Sequence, residues 1–91
     1  MAEVRFSPEA LLAYEALEKA AALQMLDAID DALDLLEADP SSAACRQRSF
    51  GDGLWGVSVR DRQDDWLIVW EHDITDSDVV RVRFIGTDPF A

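Results

Sequence analysis

Residues 54–85 read LWGVSVRDRQDDWLIVWEHDITDSDVVRVRFI, and apolar and polar positions change places every second residue in three separate runs. Trp55, Val57 and Val59 alternate with Gly56, Ser58 and Arg60. Trp66, Ile68 and Trp70 alternate with Leu67, Val69 and Glu71, and Val80, Val82 and Phe84 with Arg81, Arg83 and Ile85. A period of two built from aromatic and β-branched side chains marks pleated strands with one face in a core. The polar links 61–65 (DRQDD) and 73–77 (DITDS) have hairpin length. The expectation is an antiparallel three-strand meander. Its core face carries Trp55, Trp66 and Trp70 beside Val57, Ile68 and Val82, which argues against using the indoles for base stacking.

Upstream, residues 3–7 (EVRFS) alternate Val4 and Phe6 with Arg5 and predict a short strand. Ser7, Pro8 and Glu9 then spell a helix start: a hydroxyl at the cap, a proline where no amide is needed, and an acid in the first turn. Ala10, Ala13, Tyr14, Leu17 and Ala21 share one arc of a helical wheel, with Glu15, Glu18 and Lys19 opposite. After a break near 20–22, a second helix is expected to run to about Glu37, ahead of Asp39-Pro40. Its apolar arc holds Met25, Leu26, Ile29, Ala32, Leu33 and Leu36, widened by Ala28 and Leu35, and is broad enough to need two neighbours. Asp27, Asp30, Asp31 and Asp34 form an acidic, solvated face. Residues 40–53 look irregular and 86–91 like a short tail. The order implies a single α+β domain over 1–91, with a short N-terminal strand and a helical hairpin packed on one face of the sheet.

Ninety-one residues suffice for one core without staples. The lone cysteine, Cys45, cannot close an internal disulfide, which suits a reducing compartment, and it reads as a small buried residue. With no apolar leader and no span-length apolar run, a cytoplasmic protein off the membrane is expected. The net charge is −11: residues 9–39 carry nine acids and one lysine, and residues 46–91 nine acids and six arginines. Such a chain repels nucleic acid at long range and favours basic partners, unless local arginines gather into a patch.

Taken together, VRFSPEA at 4–10, EADP at 37–40, LWGVSVR at 54–60, WLIVWEHD at 66–73 and VVRVRFIG at 79–86 resemble the RelE/ParE superfamily of bacterial toxins over nearly the whole chain. The resemblance implies the toxin component of a type II toxin–antitoxin pair, neutralised by a small antitoxin protein. It further implies an mRNA interferase that inhibits translation at the ribosome, or alternatively a ParE-like gyrase inhibitor or a non-catalytic member that only binds its antitoxin. The family's cleavage residues do not transfer one by one. Gly56 and Ser58 stand where lysines are common, Leu67 where an arginine is common, Thr87 and Asp88 where a basic pair is common, and Phe90 in place of a terminal tyrosine.

The candidate chemistry therefore rests on arginines. Arg60, Arg81 and Arg83, with Glu71 on the same expected face, are the ingredients of RNA cleavage by 2′-hydroxyl attack: a base, and cations for the pentacovalent phosphate. The plain alternative is a solvated face laced with cross-strand ion pairs. Arg46 and Arg48, in the segment entering the sheet, are candidates for added nucleic-acid contacts. His72 among Glu71, Asp73, Asp76 and Asp78 matches no zinc or calcium spacing and reads as a hairpin turn. No cofactor motif is present, and none is expected to be needed.

Overall fold

Ser7 is the residue at which strand gives way to helix, and three of its hydrogen bonds explain how. Its amide donates to the Val82 carbonyl at 2.8 Å, its hydroxyl donates to the Arg83 carbonyl at 3.1 Å, and its Oγ accepts from the Ala10 amide at 3.2 Å. The expected helix start is thus the one adopted, with Pro8 in the first turn where its missing N–H costs nothing.

The computed structural model describes residues 2–20, 22–61, 64–76 and 78–89. Ala21 of the expected first-helix arc, Arg62 and Gln63 of one link, Ser77 of the next, and Phe90 and Ala91 of the tail lie outside the described residues. The elements are β1 (Glu3–Phe6), α1 (Pro8–Lys19), α2 (Leu23–Ala38), a 3-10 turn (Ala43–Cys45), β2 (Arg48–Gly51), β3 (Leu54–Arg60), β4 (Asp65–His72) and β5 (Val79–Thr87). The fold class is α+β. The sheet is five-stranded and mixed, in the order β1-β5-β4-β3-β2, with β1 parallel to β5 and the other pairings antiparallel.

Gly86 and Thr87 of the expected tail continue β5 opposite Leu67 and Trp66, and two further expectations are corrected. Residues 40–53 are not wholly irregular, because Arg48–Gly51 forms β2 against β3. The hairpin between them turns on Asp52-Gly53, both at positive φ (53° and 80°), as a tight turn of this kind requires. The second correction is in β5. Phe84 pairs with Val69 and Val82 with Trp70, so the register slips by one residue at Arg83. This bulge reverses the parity beyond it: Phe84 turns outward and is 41 % exposed, while Ile85 is buried at 3 %.

The core lies between the sheet and the two helices. Ala10, Leu17, Met25, Ile29 and Leu36 from the helices meet Val57, Val59, Ile68, Trp70, Val80, Val82 and Ile85 from the sheet. Trp70 is fully buried and donates its indole N–H to the Cys45 carbonyl at 2.7 Å; Trp55 and Trp66 pack partly buried at the rim. Cys45 is also fully buried. Across the sheet, Gly56 admits the Phe50 ring and touches Leu67, which is only 2 % exposed, so a minor apolar cluster covers part of the opposite face.

Replacing Ser7 by alanine removes the cap and the strand-to-helix tie together, and is expected to lower stability by about 1–2 kcal/mol. Urea unfolding checks this: the midpoint falls while the slope stays at its wild-type value.

Candidate functional site

Arg81 and Arg83 stand on the sheet face turned from the helices, since their neighbours Val80 and Val82 fill the core, whereas Arg60, at the end of β3, lines a separate concavity with Gln24 and Asp27 of α2. Each is already engaged by a carboxylate. Arg60 stands directly opposite Asp65 and donates to it at 2.5 Å. Arg81 donates to Asp73 at 2.8 Å, and Arg83 to Glu71 at 3.2 Å, so the candidate base and one candidate cation are spent on each other. The Asp73 carboxyl is held below its ordinary range, first by the Thr75 hydroxyl and amide and then by the Arg81 charge.

A residue that the sequence reading passed over joins them. The parallel register sets Arg5 of β1 beside Arg81, and Arg5, Arg81 and Arg83 line a shallow cavity of about 260 Å³ with Phe6, Ser7, Pro8 and Glu9. The period-two run at 3–7 already turned Arg5 away from Val4 and Phe6; what it lacked was the identity of the neighbouring strand. Arg5 is paired with Glu3 at 2.8 Å. Three guanidinium groups therefore stand among four carboxylates: Glu3, Glu9, Glu71 and Asp73.

Arg46 and Arg48 do not extend this cluster. The Arg48 guanidinium grips Asp88 through two contacts, at 3.1 and 2.9 Å. Arg46 donates to the Pro40 carbonyl and to His72 Nε2, both at 3.2 Å, and lies 4.8 Å over the Trp55 ring. A guanidinium has only donors, so the imidazole nitrogen accepts. This arginine is a clamp joining the segment before β2 to the end of β4. His72 belongs to β4 and packs edge-on against Trp70 at 5.3 Å, rather than lying in a solvated turn. Among the described residues, no group of three or more His, Cys, Asp or Glu is placed to hold a metal ion.

A second concavity lies between β1, α1 and α2. It encloses about 430 Å³ and is lined by Val4, Phe6, Tyr14 and Leu33, with Asp30, Asp34 and Glu37. The Tyr14 hydroxyl donates to Asp30 at 2.7 Å. That bond, then burial, then the charges of Asp30 and Glu18 push its pKa up to about 12. Among the described residues no helix is long and apolar enough to cross a membrane. No family model, curated protein or solved structure matches the chain.

The ion pairs differ in what they contribute. Arg83 and Glu71 are 50 % and 27 % exposed in their side chains, whereas Asp88 is 2 % exposed beneath Arg48. Arg83→Ala is expected to cost less than about 1 kcal/mol. Arg48→Ala, which strips a buried carboxylate of its guanidinium, is expected to cost about 2 kcal/mol or more. Urea denaturation of the two variants side by side checks the order.

Proposed function

We propose that this chain is a RelE/ParE-like toxin-side component of a toxin–antitoxin pair, held by a small antitoxin protein, and that it acts by binding rather than by cutting RNA. Support for the first half is the order of elements, a short strand, two helices and, after the added strand β2, strands β3, β4 and β5 in antiparallel succession; apart from β2, this is the order the resemblance implies. The second half is carried by one observation: Arg60, Arg81, Arg83 and Arg48 each meet a carboxylate of the same chain. RNA binding draws its affinity from phosphates neutralised by cations that the protein leaves uncompensated. On a chain of net charge −11, a locally balanced face gives no such attraction.

The second reading, ribosome-dependent mRNA cleavage, keeps one specific support: Arg5, Arg81, Arg83 and Glu71 are gathered on one side of the sheet beside a cavity. It requires phosphate to replace Glu71 and Asp73 as the partners of the arginines. A gyrase-directed protein belongs to the binding reading.

Inducing the chain alone in bacteria and following labelled amino acid and labelled thymidine within minutes separates these readings. Unchanged amino-acid incorporation is expected, with thymidine either unchanged or falling first. An early fall in amino-acid incorporation that Arg81→Ala with Arg83→Ala abolishes would establish cleavage instead.

A further inference from the structure

His72 is the chain's one histidine, and it stands where its charge state matters. It shares parity with Trp70, so its ring lies on the helix side of the sheet at the end of β4, edge-on to the buried indole at 5.3 Å. The Arg46 guanidinium is 3.2 Å from Nε2, and it has donors alone. Their hydrogen bond therefore exists only while Nε2 carries no proton, which fixes the ring as the neutral form protonated at Nδ1.

Arg46 follows the 3-10 turn and fastens it to the sheet. Its Nε donates to the Pro40 carbonyl at 3.2 Å, and its guanidinium lies 4.8 Å over the Trp55 ring and 5.9 Å over that of Trp70. One residue earlier the Cys45 carbonyl takes the Trp70 indole N–H, and two residues later Arg48 opens β2, an edge of the sheet. Arg46 is the cation set against the imidazole. The other charged groups on the surrounding elements are acids with bonds of their own. Glu71 and Asp73, on either side of His72, are paired with Arg83 and Arg81. Asp39, after α2 and Glu37, accepts from the Ser41 amide, Asp76 in the following link accepts from the Asp78 amide, and Glu3 of β1 pairs with Arg5. β5 sets Val80 opposite His72, and the 3-10 turn adds the buried Cys45 thiol.

We propose that His72 and Arg46 form an acid-released latch on the segment that leads into β2. With the ring neutral, Arg46 is held between Pro40 and His72, and the 3-10 turn is closed over Trp70. A proton taken up at Nε2 leaves the ring nothing with which to accept from the guanidinium and sets two cations at hydrogen-bond distance. They move apart, and the 3-10 turn and the edge strand β2 loosen while the rest of the sheet stays paired. Histidine changes charge between about pH 5 and 8, so the latch is closed at neutral pH and released on mild acidification. The inference goes beyond the toxin-side reading and does not rest on it.

The test is NMR on the full chain at about pH 7.5 and about pH 5.5, following the imidazole resonances and amide exchange together. The reporters are the Cys45 and Arg46 amides, which bond to the Ser42 and Ala43 carbonyls within the turn. As the imidazole titrates, their protection factors are expected to fall at least about tenfold, the change that follows loss of one charge-assisted hydrogen bond, while those of Ile68 and Val82 stay within about twofold. His72→Gln, whose amide oxygen can accept from Arg46 and does not titrate, is expected to keep the turn closed at both pH values. Arg46→Met is expected to leave it loose at both. Four results would each overturn the latch: an imidazole still neutral at the lower pH, a turn whose protection is unchanged once the ring has titrated, the same fall in His72→Gln, or an equal fall at Ile68 and Val82. The wild-type chain alone yields three of these four, so the test does not depend on either variant folding.

Discussion

The parallel pairing of β1 with β5 is the constraint on which the rest of the molecule depends. It brings the first residues beside the last strand, and the Ser7 bond to Arg83 spans 76 positions of sequence. Because Ser7 also caps α1, the same residue fixes where the first helix leaves the sheet. α1 is thereby laid over β5, and α2 returns over β3 so that Met25, Ile29 and Leu36 close the core above Trp70. Without β1 in place, α1 would lose its anchor and the sheet its helical cover. With this short strand held outermost, its Ala2 amide meets the Glu37 carbonyl at the end of α2, and β1 forms one wall of the acidic groove.

Charge is arranged on a similar principle of local balance. Arg81 stands opposite Glu71 in the register yet donates to Asp73, and Arg83, the extra residue of the bulge, takes Glu71 instead. The bulge thus decides which acid each arginine meets. Unbalanced acid is concentrated elsewhere, on α2 and beside β1, where Asp34 and Glu37 border an apolar groove.

Much of this was legible from residue order. Period two located β3, β4 and β5, the Ser7-Pro8-Glu9 triplet located the start of α1, and parity put Trp70 in the core. Parity failed where the period itself was interrupted: one inserted residue at Arg83 exchanged the roles of Phe84 and Ile85, and no composition signal announces a bulge of this kind. β2 was missed although Asp52-Gly53, a strong hairpin dipeptide, stood between Phe50 and Leu54. The parallel partner of β1, and with it the approach of Arg5 to Arg81, was beyond local reading because nothing in a four-residue strand names a neighbour so distant in sequence. Side-chain pairing was equally hidden, since which acid lies within 3 Å of a guanidinium depends on register and bulge together.

The central claim is that the arginines of the sheet face are neutralised from within. Fluorescence anisotropy of a labelled single-stranded RNA titrated with the purified chain, over a range of salt concentrations, tests it most directly. The account predicts no saturable binding even at low salt. Binding whose logarithm falls against the logarithm of salt with a slope of about −2, the value for three phosphates contacted on a single strand, would contradict it. Such a slope would show that Arg5, Arg81 and Arg83 exchange their carboxylates for phosphate.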